Sequence, residues 1–245
     1  VLVTGSEGFV GNHLRRILPF DGLDLCSTAK YNGCISDMAS LIKSPESIEY
    51  VIHLADLRFQ YLNEENLSSE IAKHSRFLQY LRQLPNLKKL IYASSCSVYG
   101  QSKQHITEQS PINLTSYYAK CKSAVEDLIQ QSHLPHIILR FGTAYGGEHA
   151  FRNDLFINAA IRSCIEHRNF DVFGADCWRP YVNVVDFSRA LKYFLLDYDG
   201  PLQLINVVET NQTKRAILDT LRFNGLDTSY LPIDDNRPDH RDYFV

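Results

Sequence analysis

Residues 1–18 constrain the chain most. Val1-Leu2-Val3 is an apolar run of strand type, residues 4–11 read TGSEGFVG, and Asn12–Leu18 has the apolar spacing of a helix. Glycines at 5, 8 and 11, set between a strand and a helix, meet the needs of a loop that cradles a dinucleotide. Gly5 permits the tight turn. Gly8 lets backbone approach a pyrophosphate at the helix N-terminus, and Gly11 lets the helix lie close on the strand. Phe9 and Val10, between the last two glycines, join Gly5, Gly8 and Gly11 as candidate cofactor contacts.

The alternation continues downstream. Tyr50–Leu54 (YVIHL), Leu90–Ala93 and Ile137–Phe141 (IILRF) read as buried strands, while Ser69–Leu84 and Ser116–Gln131 have helical spacing. A β-α-β-α order predicts an α/β fold with a doubly wound parallel sheet covered on both faces. From about residue 145 short strands mix with helices at 155–167 and 185–196. The expected division is a dinucleotide-binding domain over 1–145, to which 180–210 contributes, and a smaller, partly interleaved substrate lobe over 146–245.

Composition narrows the class. The 245 residues are 44% hydrophobic and 22% charged, with a net charge of −3, so neither a nucleic-acid nor a membrane partner is expected. No apolar run reaches the roughly 20 residues of a membrane span, and no signal peptide is visible. Six cysteines without a CxxC pair read as reduced thiols of a cytoplasmic protein. His133 and His136 flank Leu134-Pro135, which favours a turn over a metal site; no metal is expected. The chain opens at Val1 inside a strand pattern and ends at Val245 without a closing helix, which reads as residues missing at both ends.

Residues 116–122 read SYYAKCK. Side chains four apart share one face of a helix, so Tyr118 meets Lys122, whereas Tyr117 meets only Cys121. Tyr117 and Lys120 are then bystanders. A free tyrosine, with a pKa near ~10, is a poor base at neutral pH. A nearby ammonium favours the phenolate, and the positive ring of an oxidised nicotinamide adds to that effect.

Together these segments resemble the extended branch of the short-chain dehydrogenase/reductase superfamily, the NAD-dependent epimerase/dehydratase family, which acts largely on nucleotide sugars. The resemblance covers nearly the whole chain. YAKCK matches the Y-x-x-x-K motif, and SSCSVYG (94–100) is similar to S-S-x-x-V-Y-G. VIHLAD (51–56) resembles V-x-H-L-A-A, and WRPYVNVVDFSRAL (178–191) resembles W-R-P-F-V-H-V-x-D-x-x-x-A. It implies a Rossmann-type fold, NAD as cofactor and a nucleotide-sugar substrate. It implies Ser95, Tyr118 and Lys122 as catalytic residues, and Tyr118 and Lys122, the latter on the ribose, as cofactor contacts together with Asp37, Met38, Leu54 and Ala55. Ser97, Arg179 and Arg237 would touch substrate, the arginines through its diphosphate. A homodimer formed through two helices per subunit is a further expectation of the family.

Four positions depart from the family pattern. The second strand (about 22–27) ends without the acid that NAD users carry for the ribose; Ser27, Thr28 and Lys30 stand there, which leaves room for NADP. Asp56 replaces the second alanine of H-L-A-A, Thr143 replaces an asparagine, and Glu70 stands in place of another. Sugar dehydratases of the family carry Asp-Glu where this chain has Cys96-Ser97, so dehydration is disfavoured. The resulting expectation is a nucleotide-sugar epimerase acting by transient oxidation. An NAD(P)H-dependent keto-sugar reductase would share every named residue. A dinucleotide-binding scaffold without turnover would be expected to lose the tyrosine or the lysine.

Overall fold

The structure, a computed structural model, describes residues 1–18, 42, 44–57, 59–147, 152–201, 203–234, 239 and 241–245. Strands β1 (Leu2–Thr4), β2 (Tyr50–His53), β3 (Lys89–Ser95) and β4 (His136–Phe141) are parallel and adjacent. A later strand, Leu204–Val207, returns to pair in parallel with β4, giving five strands among the described residues. The expected second strand, together with Asp37, Met38 and Arg237, lies outside the described residues.

Side-chain alternation explains why the sheet is covered on both faces. Val51, Leu90, Tyr92 and Ile138 face helices α2 (Glu64–Leu81) and α3 (Tyr117–Gln131), against Phe77, Leu81, Val125 and Ile129. Their neighbours Ile52, Ile91, Ile137 and Leu139 face the other way, against Leu14 of α1 (Phe9–Ile17) and Leu191 of the helix Val184–Leu196. Each such fully buried aliphatic side chain contributes about 1.5–3 kcal/mol. Strands buried on both sides read as continuous apolar runs, which is how β2, β3 and β4 appear in the sequence.

Helix starts differ from the periodicity reading because caps set them. Asn63 accepts from the Asn66 backbone N–H at 3.0 Å and the Asn66 side chain returns the bond at 3.0 Å, so α2 begins at Glu64, ahead of Ser69. Ser116 accepts from the Ala119 N–H at 3.1 Å, which places Tyr118 in the first turn of α3. The glycine turn runs directly into α1 at Phe9, ahead of Asn12.

Beyond β4 lie β5 (Thr143–Tyr145), α4 (Phe156–Glu166), β6 (Val172–Phe173) and β7 (Trp178–Asn183). The returning helix and strand are α5 (Val184–Leu196) and β8 (Leu204–Val207); β9 (Thr210–Thr213), α6 (Lys214–Phe223) and β10 (Ile233–Asp234) close the described part. β7 sits between parallel β5 and antiparallel β9, and β6 pairs with β10. Ala160, Cys164, Tyr181, Ile217 and Leu218 form a separate core there. Among the described residues no helix is long and apolar enough to cross a membrane.

Candidate active site

The glycine turn is built as its spacing predicts. Gly5 has φ +73°, and a Cβ there would lie 3.0 Å from the Ala55 nitrogen and 3.1 Å from the Leu54 carbonyl carbon, so the turns after β1 and β2 touch. A Cβ on Gly11 would meet the Gly5 and Ser6 carbonyl oxygens at 2.3 and 2.5 Å. Gly8 is the N-cap of α1 and brings no capping side chain, which leaves the first N–H groups of that helix for a ligand. The Phe9 side chain is buried, edge-to-face on His13 at 5.6 Å, so Phe9 can meet a ligand only through backbone; Val10 is partly buried on the α1–α5 side. Gly11→Ala should therefore weaken dinucleotide binding about tenfold or more, because two backbone carbonyls must move. Calorimetric titration of the variant checks this; wild-type affinity would show that the close approach at Gly11 is dispensable.

Ser95 ends β3 and Tyr118 lies in the first turn of α3, with the Ser95 hydroxyl close enough to pull the Tyr118 pKa down. Lys122 is buried, with its ammonium 5.6 Å from the Tyr118 ring centroid and 4.8 Å from that of Tyr92. It donates to the Ala93 carbonyl at 2.6 Å and lies 2.7 Å from Asp56 Oδ2. Asp56 follows Ala55 directly, so this ion pair ties the Tyr118–Lys122 pair to the turn beside Gly5. Seven sequence candidates, Gly5, Gly8, Leu54, Ala55, Ser95, Tyr118 and Lys122, thus sit along the carboxyl ends of β1, β2 and β3, where α/β sheets bind ligands.

The electrostatics depart from the simple tyrosine–lysine expectation. Burial pushes the Tyr118 hydroxyl up, Lys122 pulls it down, Asp56 pushes it up again, and Ser95 pulls it down; the balance is upward. Burial works against the Lys122 charge, but Asp56, then Tyr118 and Tyr92, hold its pKa well above the usual lysine range. Burial also works against Asp56, yet Lys122 and then His74 keep it well below the usual carboxylate range.

A cavity of about 520 Å³ opens beside Tyr118, lined among others by Gln60, Leu114, Thr115, Tyr117 and Lys120. Tyr117 and Lys120, bystanders by helical spacing, therefore border the space next to Tyr118. The Ser97 Oγ is closed off from solvent and has no hydrogen-bond partner among the described residues. Arg179 is buried on β7; it donates to the Arg241 carbonyl at 3.2 Å and lies 3.7 Å from Asp239 and 5.8 Å from the Tyr243 ring centroid. Asp239 also takes Lys214 at 3.0 Å and Arg241 at 3.1 Å, so three cations share one carboxylate.

The sequence reading missed His53, His74, Lys214 and Arg241. For His74 a signal existed. Glu70 and His74 fall on the same helical stripe as Phe77, Leu78 and Leu81, and buried polar residues on a core stripe call for partners.

Among curated relatives, the chain is 28% identical over 194 residues to a dTDP-D-glucose 4,6-dehydratase of Dictyostelium discoideum, covering 60% of this chain and 44% of that one. It is 26% identical over 211 residues to an uncharacterised UDP-glucose epimerase of Bacillus subtilis, covering 71% and 65%. The chain thus spans 44% and 65% of the lengths of these two relatives. Among solved structures, the UDP-glucose 4-epimerase of Thermus thermophilus in complex with NAD superposes with a TM-score of 0.79 at 20% identity, covering 100% of this chain and 89% of the other. The match at that identity establishes the α/β Rossmann-type fold. With the profile of that family matching residues 1–207, the chain belongs to the NAD dependent epimerase/dehydratase family.

Proposed function

We propose that the protein is a nucleotide-sugar epimerase that works by transient oxidation with NAD. The observation that carries this reading is the placing of Tyr118 beside Ser95 and the buried Lys122, at the sheet edge that also holds the glycine turn. The site fits the cofactor: Gly5 and Gly11 leave no room for a Cβ against the neighbouring backbone, which keeps the turn tight, and the N-terminus of α1 is left uncapped by side chains. Bound NAD supplies reversible hydride exchange with a carbinol carbon.

The protein's own residues do the rest. The first N–H groups of α1, around Phe9 and Val10, receive the pyrophosphate, and Leu54 and Ala55 offer backbone beside it. An ammonium has three N–H donors; Asp56 and Ala93 face two of those of Lys122, and the third serves a ribose hydroxyl. Tyr118 takes the sugar hydroxyl proton while Ser95 donates to the same oxygen, and Tyr118 returns the proton once the sugar has turned over. Arg179, with Arg241 and Lys214 around a single carboxylate, leaves positive charge for a diphosphate. Arg237 is proposed as the second arginine on that diphosphate.

Epimerisation needs one group that takes and returns a proton, whereas elimination of water needs a further acid and base. Cys96, where dehydratases of the family place an acid, is fully buried, donates to the Arg140 carbonyl at 3.2 Å, and has its thiol pushed far up by burial. Incubation with NAD and a panel of UDP- and dTDP-sugars, read by chromatography and nicotinamide absorbance, tests the reading. The expected result is an epimeric sugar nucleotide with no net change in reduced cofactor. A 4-keto-6-deoxy product, or stoichiometric consumption of NADH or NADPH with a keto sugar, would overturn it.

A further inference from the structure

Asp56 occupies a place that catalysis by Tyr118 and Lys122 alone does not require. Neither of its carboxylate oxygens is reached by solvent, so it cannot touch a ligand. What it touches is fixed by a chain of buried polar side chains from three elements.

The chain has a direction. Thr4 Oγ1 accepts from the backbone N–H of Ala55 at 3.1 Å and shares that of Leu54 at 3.2 Å. Its own proton is left for His53 Nδ1, 2.7 Å away. His53 therefore carries its hydrogen on Nε2 and donates it to His74 Nδ1 at 2.8 Å. The hydrogen of His74 then sits on Nε2, which lies 3.7 Å from Asp56 Oδ1, an electrostatic contact longer than a hydrogen bond. The other oxygen, Oδ2, meets Lys122 Nζ at 2.7 Å. Burial, then His74 and Lys122, holds the His53 pKa well below its usual value, although Asp56 opposes this, so the first imidazole stays neutral as the direction requires.

We propose that Asp56 is a positioning residue, whose carboxylate, oriented through Thr4, His53 and His74, fixes the Lys122 ammonium and offsets the charge that the Tyr118 phenol meets. The inference rests on the assignment of Tyr118 and Lys122 above. The groups facing Asp56 are His53 from β2, Tyr92 from β3, His74 from α2, with Glu70 4.0 Å behind it, and Tyr118, Cys121 and Lys122 from α3. Glu70 is itself engaged by Lys73 at 2.8 Å. Asp56, His74 and Cys121 lie within 4.8 Å of one another, a spacing that suits a metal. Two things argue against one. Lys122 already sits on the carboxylate, and burial, with Asp56 adding to it, pushes the Cys121 thiol up to about 12.

The consequence concerns net charge. With Asp56 present, the buried group of carboxylate, ammonium and phenol is neutral, and taking a proton from it leaves one uncompensated negative charge. With Asp56→Asn the group begins positive and becomes neutral. The apparent pKa of the Tyr118–Lys122 pair then falls, whichever member gives up the proton.

The test is the pH profile of kcat/KM for Asp56→Asn, an isosteric change. The acid limb is expected to move down by about one pH unit, a tenfold gain at pH values below the wild-type limb. An unmoved limb in folded protein overturns the inference and leaves the epimerase reading standing. A second measurement needs neither a folded Asp56 variant nor turnover: the ¹³Cε signal of Lys122 in the wild-type protein, assigned by its loss in Lys122→Arg. It should show no titration up to about pH 10, near the ordinary lysine value; a midpoint well below that overturns the inference. Absence of turnover on every sugar would instead remove the epimerase reading and leave the lysine titration to decide.

Discussion

Tyr118→Phe should reduce turnover by about 10²–10⁴-fold, the range ascribed to a positioned proton-transfer group, while dinucleotide affinity stays within a few-fold of wild type. The two halves of the prediction follow from separate parts of the structure. The phenol lies beside Ser95 and in the field of Lys122, and of these three groups it is the one whose chemistry suits taking a sugar proton. Ser95 can donate to the sugar oxygen but is too weak a base to replace it. The dinucleotide cradle depends on backbone at Gly5, Gly8, Leu54 and Ala55, which the substitution does not touch. Phenylalanine retains the ring, so the packing of Tyr118 against its apolar neighbours is kept. Steady-state rates with the preferred sugar nucleotide, alongside a cofactor titration, measure both halves. Wild-type turnover would end the assignment of Tyr118 as the base. A large loss of cofactor affinity would mean that the phenol holds the dinucleotide instead of serving the sugar.

What the sequence made legible was local. The glycine turn, the apolar strands and the i, i+4 pair all lie within short windows, and the fold class follows from their order. The reading of YVIHL, for example, ends within one residue of β2. The rest was hidden because it joins distant positions. Asp56 and Glu70 stand out as departures from the family pattern, but nothing in their own windows says that Asp56 meets Lys122. The sheet brings them together: Thr4 and His53 are register partners on β1 and β2, and His74 reaches them from α2. Tyr118 illustrates the same limit from the electrostatic side. Helical spacing shows the lysine that lowers its pKa, but not the burial and the carboxylate that raise it.

Arg140→Met should destabilise the fold by about 3–5 kcal/mol, the usual effect of removing one partner of a buried ion pair. That is a large share of the roughly 5–15 kcal/mol that holds a typical domain together. Arg140 on β4 donates to Glu126 on α3 through Nε at 3.0 Å and Nη2 at 2.5 Å, and all of these groups are buried. Ser94, its register partner on β3, also donates to Glu126, and the guanidinium lies 4.8 Å from the Tyr99 ring centroid. The cluster therefore fastens α3 to the two strands just below Ser95. Without Arg140 the Glu126 carboxylate keeps its desolvation cost and loses its counterion, with Ser94 as its remaining hydrogen-bond partner. The effect should be strongly non-additive. Arg140→Met combined with Glu126→Leu removes both charges and should recover much of the loss, since apolar replacement of a whole buried pair is often close to neutral. Urea midpoints of the two single variants and the double variant close this cycle. Additive losses would mean that each side chain acts through packing alone. Recovery in the double variant would assign the cost to the orphaned charge, and would make this pair the element that sets the end of β3 and, through it, the position of Ser95 against Tyr118.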